Sequence, residues 1–352
     1  MTADLGIGIV GYGNIAPRHV EAIQRTRGVA VRGVCDIVSE RAEAGGRHLQ
    51  VPWYVEYTKL LEAADIDVVA ICTPNYLHAS MARLALSAGK HAVVEKPIAF
   101  SARDALALSD EFEHAGLGLF CMLQVRFNPA VQAVRSLIER GGLGEIYVGS
   151  LAQRWNRRND YFDGPNEWHG IRALEGGSLY TQGVHYIDLL THLIGPVEEV
   201  AARTDTLAHS IETEDVVVAT LRYRCGALGA VEFSLNSFER NIEASITLLA
   251  EHGNIVLGGT AANELARWEV ASHEMPEGVE RAAPNDYGGR YHGSPPNHAS
   301  IYENVVAHLG EKAEPIAVTA ASAAASIRVI ESIYQAADSG CPVRVDDGDL
   351  EA

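Results

Sequence analysis

Leu5-Gly6-Ile7-Gly8-Ile9-Val10 runs without a charge into Gly11-Tyr12-Gly13-Asn14-Ile15-Ala16, and this junction decides the fold. A short apolar run of this kind reads as a buried strand. G-x-G-x-x-A placed after a strand and before a helical pattern is the turn of a dinucleotide-binding βαβ unit. Gly11 permits the tight turn, Gly13 lets the backbone approach a pyrophosphate, and Ala16 keeps the helix close to the sheet. Asn14 and Ile15 lead into the helix N-terminus, whose amides face the phosphates. Asp36 closes the next strand, Val31-Arg32-Gly33-Val34-Cys35-Asp36, about 20 residues beyond the glycines. A carboxylate there accepts bonds from ribose hydroxyls and repels a 2′-phosphate, which favours NAD over NADP. Capping the helix that begins near Ser39 is the alternative use of the same side chain.

Outward from this junction the pattern repeats. Val29–Cys35, Trp53–Val55, Asp67–Cys72, His91–Val94 and Leu117–Leu123 read as further strands, with helical patterns near Ile15–Thr26, Ser39–His48, Leu77–Ala88 and Ala102–His114. Alternation of this kind predicts a doubly wound parallel sheet with helices on both faces. After Phe127 the pattern changes: a helix near Pro129–Arg140, a glycine turn, and a strand at Glu145–Gln153. The β-rich segments Val197–Thr204, Val216–Tyr223, Gly229–Leu235, Ala244–Ala250 and Asn254–Leu257 follow, joined by polar turns. They predict a second α/β domain with a large open mixed or antiparallel sheet. A helix near Val184–Leu193 stops at Gly195-Pro196, and helices near Ala299–His308 and Ala320–Ala337 close the chain. The expected domains are 1–125, binding NAD, and 126–352, binding substrate.

The 352 residues suit two cores, with 47% apolar and 21% charged residues. Asp and Glu outnumber Lys and Arg 46 to 28, for a formal charge of −18, which argues against nucleic-acid binding. Five scattered cysteines fit neither a disulfide framework nor a zinc site. No apolar run approaches the roughly 20 residues of a membrane span, and Met1-Thr2-Ala3-Asp4 lacks a basic leader region, so a cytoplasmic location is expected.

Ligands of open α/β sheets bind at the carboxyl ends of the strands. The loop after the fourth strand, with Thr73, Pro74, Asn75 and His78, and the loop after the fifth, with Glu95, Lys96 and Pro97, therefore border the cofactor. Oxidising an alcohol needs a group that takes the hydroxyl proton as hydride leaves, and a lysine serves when burial and nearby positive charge lower its pKa. Lys96 is the candidate; a surface lysine paired with Glu95 is the alternative.

Together with Glu95-Lys96-Pro97 and the glycine turn, the segment Gly176-Gly177-Ser178-Leu179-Tyr180-Thr181-Gln182-Gly183-Val184-His185-Tyr186-Ile187-Asp188 resembles the Gfo/Idh/MocA oxidoreductases over nearly the whole chain. The resemblance implies a Rossmann domain, a C-terminal open-sheet domain, a homodimer or homotetramer built through that sheet, and Lys96 and His185 as catalytic residues. Inositol-type members carry an Asp four residues before this His, where the present chain has Thr181. Asp188 is read as positioning side chains within its helix. Ile15-Ala16-Pro17-Arg18-His19, Pro74-Asn75-Tyr76-Leu77-His78, Leu123-Gln124-Val125-Arg126 and Gly183-Val184-His185 are similar to segments of the UDP-N-acetylglucosaminuronate 3-dehydrogenases within that family. This likeness implies a sugar or nucleotide-sugar substrate, with Gln124 at the cofactor and Arg126 and Thr181 at the substrate. Inositol or simple aldose dehydrogenation and a non-catalytic NAD sensor are the alternatives.

Arg154-Trp155-Asn156-Arg157-Arg158 is the densest basic cluster, suited to a carboxylate or phosphate, or else a solvated strand end. Arg172 is a further substrate candidate. Trp168 covers the nicotinamide or a sugar face, or lies in the core. Asn297, His298 and Tyr302 are additional pocket candidates. His185 and His192 lack further ligands, so no metal is expected.

Overall fold

The computed structural model describes residues 4–163, 168–277, 279, 297–311 and 313–345. The chain forms two compact units, one comprising Met1–Gln124 with Pro296–Ala324 and the other Val125–Pro295 with Ala325–Ala352.

In the first unit, β1 (Leu5–Val10), β2 (Val29–Cys35), β3 (Trp53–Tyr54), β4 (Val68–Ile71), β5 (His91–Val94) and β6 (Leu119–Cys121) form a six-stranded sheet in the order β3-β2-β1-β4-β5-β6. All its neighbours are parallel. Every residue of β4 is buried, as expected of a central parallel strand covered on both faces. The linking helices are α1 (Ala16–Arg25), α2 (Ser39–Leu49), the short α3 (Tyr57–Leu61), α4 (His78–Ser87) and α5 (Ala102–His114). Helix α1 is amphipathic, burying Ala16, Val20, Ala22 and Ile23. Burial of Val20 and Ile23 stabilises by about 1.5–3 kcal/mol each. Helix α5 starts where Ser101 accepts the Asp104 amide at 3.1 Å.

The second unit opens with α6 (Pro129–Glu139), whose Pro129 occupies a first-turn position that needs no amide. Strand β7 (Ile146–Arg154), α7 (Asn159–Phe162), α8 (Arg172–Glu175) and α9 (Val184–Ile194) follow, then β8 (Val197–Asp205), β9 (Val216–Tyr223), β10 (Leu228–Ser234), β11 (Glu243–Ala250), β12 (Gly253–Gly258) and β13 (Glu264–Val270). Helices α10 (His298–Leu309) and α11 (Ala320–Ser339) and the two-residue β14 (Val343–Arg344) complete the chain. The eight strands run β13-β12-β11-β7-β10-β9-β8-β14, with β7 and β10 parallel and the other pairs antiparallel.

This sheet has one covered and one open face. On β9, Val217, Ala219, Leu221 and Tyr223 are buried, whereas Val218, Thr220 and Arg222 are exposed. The covered face carries α9. A Cβ on Gly149 would lie 2.0 Å from Ile194 Cδ1, so glycine at that position lets the helix settle on the sheet. The expectation that α10 belongs to the second domain is corrected: it packs on α1 in the first unit.

Candidate functional site

At the carboxyl end of β1, Gly11 has φ +87°. A Cβ there would stand 2.7 Å from the Cys72 carbonyl oxygen, so both conformation and space require glycine. Gly13 differs, since a Cβ on it would meet nothing within 4 Å. The open space beside Gly13 suits a ligand that approaches the backbone. Helix α1 begins with Ile15 as N-cap and Pro17 in its first turn, with no side-chain cap and no acid there, so its N-terminal amides suit phosphate oxygens.

Asp36 is buried. Its Oδ2 accepts the Tyr12 amide at 2.7 Å and its Oδ1 the Val38 amide at 2.8 Å. The carboxylate thus ties the glycine turn to the end of β2 and retains lone pairs for two ribose hydroxyls. Thr73 Oγ1 and Gln124 Oε1 are buried and have no hydrogen-bond partner among the described residues. Asn75 is buried at the start of a one-turn 3₁₀ segment that follows Pro74. An open glycine cradle, an uncapped helix, a ribose-ready carboxylate and unpartnered oxygens on Thr73 after β4 and Gln124 after β6 together fit a dinucleotide.

Two residues expected at the cofactor have other work. His78 is buried, with Nδ1 2.7 Å from the Pro97 carbonyl oxygen and Nε2 2.8 Å from that of Thr73. It clamps the β4 and β5 loops together. Glu95 turns inward, its Oε1 2.9 Å from His19 Nε2 and its Oε2 accepting the Lys96 amide at 3.2 Å. Lys96 is half-buried, directly after β5, and its bond to Pro97 is cis.

In the second unit, a π-helical turn over Leu179–Gly183 runs into α9, placing half-buried His185 near the helix start. Such turns recur at functional positions. Thr181 lies buried within it and hydrogen-bonds Glu175, so its hydroxyl is committed to the interior. Glu175 and Glu214 are both buried. Burial, with Glu214 as a like-charged neighbour, pushes Glu175 up to about 7, and burial raises Glu214 as well. Tyr334 donates to Glu214 Oε1 at 2.7 Å, and the Leu179 amide donates to the same oxygen at 3.0 Å.

Two of the arginines expected at the substrate face acids of the same unit instead. Arg126 is buried and bidentate with Asp188, Nε to Oδ2 at 2.7 Å and Nη2 to Oδ1 at 2.6 Å, which makes it a structural cation and gives Asp188 its role. Arg154 pairs with Glu232 and Glu243 on the open face of the sheet, opposite the face that carries α9 and His185. The cluster around it divides. Arg157 is buried, donating to Gln182 Oε1 at 2.7 Å and standing 4.8 Å from the Trp155 ring centroid, while Arg158 is exposed beside Asp160. Arg172 is exposed and donates to the Glu212 carbonyl at 3.3 Å. Trp168 is half-buried and stacks on His169 with centroids 4.0 Å apart.

One constellation was not legible as a cluster in the sequence. His19, Glu95 and His298 bring one ligand-capable atom each within 4.8 Å, all buried, and Tyr302 joins them on α10. His19 stood only as a motif neighbour of the glycine turn, and His298 lies on an element assigned elsewhere.

Fold and site define the class: a dinucleotide-binding Rossmann oxidoreductase with an open-sheet second unit. Residues 5–122 match the oxidoreductase family with an NAD-binding Rossmann fold, and residues 131–256 match the GFO/IDH/MocA C-terminal domain. The chain is similar to the WlbA dehydrogenase from Bordetella pertussis in complex with NADH and UDP-GlcNAcA, with TM-score 0.86 and 31% identity, covering 97% of this chain and 99% of that one. It is also similar to WlbA from Chromobacterium violaceum, with the same ligands, with TM-score 0.88 and 30% identity over 99% and 98% of the two chains. A D-apiose dehydrogenase from Paraburkholderia graminis is 30% identical over 230 residues, 65% of this chain and 60% of that protein. The chain belongs to the Gfo/Idh/MocA oxidoreductase family, and its cofactor is NAD. No helix among the described residues is long and apolar enough to cross a membrane.

Proposed function

We propose that this protein is an NAD-dependent dehydrogenase acting on a ring carbinol of a nucleotide-linked sugar acid. The observation that carries this reading is the position of Lys96 at the carboxyl end of β5, two strands from the glycine turn and one from the Thr73 loop. Likeness to two enzymes complexed with NADH and UDP-GlcNAcA, extending over both units, supports the substrate class. NAD, when bound, supplies the hydride acceptor. Asp36 holds the ribose, the α1 amides hold phosphate, Lys96 takes the proton of the reacting hydroxyl, and His185 in the second unit is the second acid/base group.

A neutral-sugar dehydrogenase is the second reading. It is favoured by the commitment of Arg126 and Arg154 to internal carboxylates, which removes two cations offered for an anionic substrate. Absorbance at the reduced-nicotinamide band, with a panel of UDP-sugar acids, neutral sugars and inositols, separates the two. Response to UDP-sugar acids alone, lowered roughly 100-fold or more by Lys96→Met, is expected. Response confined to neutral sugars selects the second reading, and NAD binding with no response to any substrate points to a sensor.

We place the protein in the cytoplasm as a homodimer or homotetramer built through the open face. Val218 on β9, Leu228 on β10 and Leu249 on β11 are exposed on that face, large apolar side chains of the kind that a partner subunit covers. Val218→Lys with Leu249→Glu should give monomers in size-exclusion chromatography with light scattering; an unchanged mass would exclude this face.

A further inference from the structure

Beside the Lys96 loop lies a buried polar chain that hydride transfer does not itself require. His19 Nδ1 is 2.6 Å from Tyr302 Oη, and His19 Nε2 is 2.9 Å from Glu95 Oε1. The other Glu95 oxygen accepts the Lys96 amide at 3.2 Å. His298 Nε2, buried and without a hydrogen-bond partner among the described residues, stands 3.9 Å from Glu95 Oε1. His19 Nε2–H donates to Glu95, and the Nδ1–Tyr302 contact is met either by an imidazolium N–H donating to the phenol oxygen or by the phenol O–H donating to a neutral ring. Burial alone would lower the His19 pKa, but Cys72, Tyr302 and Glu95 outweigh it and hold it well above its ordinary value. Burial would raise Glu95, and the His19 imidazolium overrides it, holding the carboxyl well below its usual range.

We propose that Tyr302, His19 and Glu95 form a positioning relay for Lys96, in which the His19 imidazolium neutralises Glu95. The carboxylate then fixes the Lys96 backbone through its amide, while the His19 charge weakens its pull on the Lys96 ammonium, which itself helps to keep Glu95 ionised. Left unneutralised, a carboxylate on the adjacent residue would raise the lysine's proton affinity by about 1–3 pH units and disable it as a base near neutrality. The other groups facing this chain are Arg18 on α1, Cys72 after β4, His78 on α4 and His298 on α10. Burial, and then His19, push His298 down to about 3, so it adds no charge at neutral pH. Tyr302 orients His19 from the opposite side, which gives α10 its role in the first unit. A cation held by His19, Glu95 and His298 would have to displace the proton between His19 and Glu95, so a resident metal and this relay exclude one another.

The inference rests on Lys96 as the acid/base group, and its test needs no turnover. The pH midpoint for acylation of Lys96 is read by mass spectrometry on the purified full-length protein. His19→Gln should raise the midpoint by about one unit or more. Glu95→Gln should lower it, and the double variant should return it close to wild type. Tyr302→Phe should raise it less, and it carries the test if His19→Gln fails to fold. Midpoints that do not move, or that move in the same direction in both single variants, would overturn the relay. So would a stoichiometric divalent metal in elemental analysis of the wild type. If instead Lys96→Met leaves turnover intact, the functional reading fails while the midpoints still report on the relay.

Discussion

Arg126 and Asp188 offer the sharpest test of how charge is used in the second unit. Their side chains are 7% and 1% exposed, and two parallel hydrogen bonds join them. Asp188→Ala would leave a buried guanidinium without its bidentate carboxylate, and Arg126→Met would leave a buried carboxylate. Either loss should cost about 3–5 kcal/mol, because the survivor keeps its desolvation penalty and loses its compensation. Arg126→Met with Asp188→Leu removes both charges at similar volume, so it should cost much less than the sum, with a coupling energy of roughly 2–3 kcal/mol or more. Urea unfolding followed by tryptophan fluorescence reads this unit well, since Trp155, Trp168 and Trp268 lie in it and only Trp53 lies in the other. Single variants costing under about 1 kcal/mol, or additive effects, would refute the structural assignment. A substrate role for Arg126 predicts a different outcome: KM rises in Arg126→Met while stability holds.

Three further expectations follow from single positions. Asp36→Ala removes acceptors for two backbone amides as well as for the ribose, and should weaken NADH binding in calorimetry by about 1.5–3 kcal/mol while narrowing discrimination against NADPH; unchanged affinity for both would remove Asp36 from the cofactor. Gly11→Ala forces φ +87° and a 2.7 Å backbone contact, and should cost about 1–3 kcal/mol of stability, whereas Gly13→Ala should leave the melting temperature unchanged and weaken NADH alone; equal melting shifts would contradict this split. Glu175, pushed up to about 7, binds its proton more tightly folded than unfolded, so its penalty is absent at low pH and grows as pH rises from the ordinary carboxylate range through about 7. That penalty reaches on the order of 3 kcal/mol in slightly alkaline buffer, Glu175→Gln should remove the decline, and parallel melting curves across pH would argue against it.

The fold was largely legible because its signals are local. The glycine turn, the strand–helix alternation of the first 120 or so residues and the period-two burial of β9 all arise within a few positions of themselves. Strand β13 was missed because Glu264, Arg267 and Glu269 make it read as a polar loop. Among the described residues it is an edge strand paired with β12 alone, and charge is how exposed edges are protected from further pairing. Helix α3 and β14 are too short to carry a period at all.

The site was legible only as far as backbone geometry governs it. Gly11, Gly13 and Asp36 stand where their spacing predicts because turn, strand end and helix start fix them. Charged side chains are different, since what an arginine does depends on whether an acid faces it. For Arg126 that acid is 62 positions away, and for Arg154 the two acids are 78 and 89 positions away. The same blindness covers Glu95. Adjacency suggests that it pairs with Lys96, but successive residues at a strand end turn to opposite sides, and the side that Glu95 takes holds His19. His19 is in turn oriented by Tyr302, 283 positions away. The tripeptide therefore marks the loop proposed as catalytic while concealing how its charge is balanced, because the balancing imidazole is delivered by α1 and fixed by a helix from the far end of the chain.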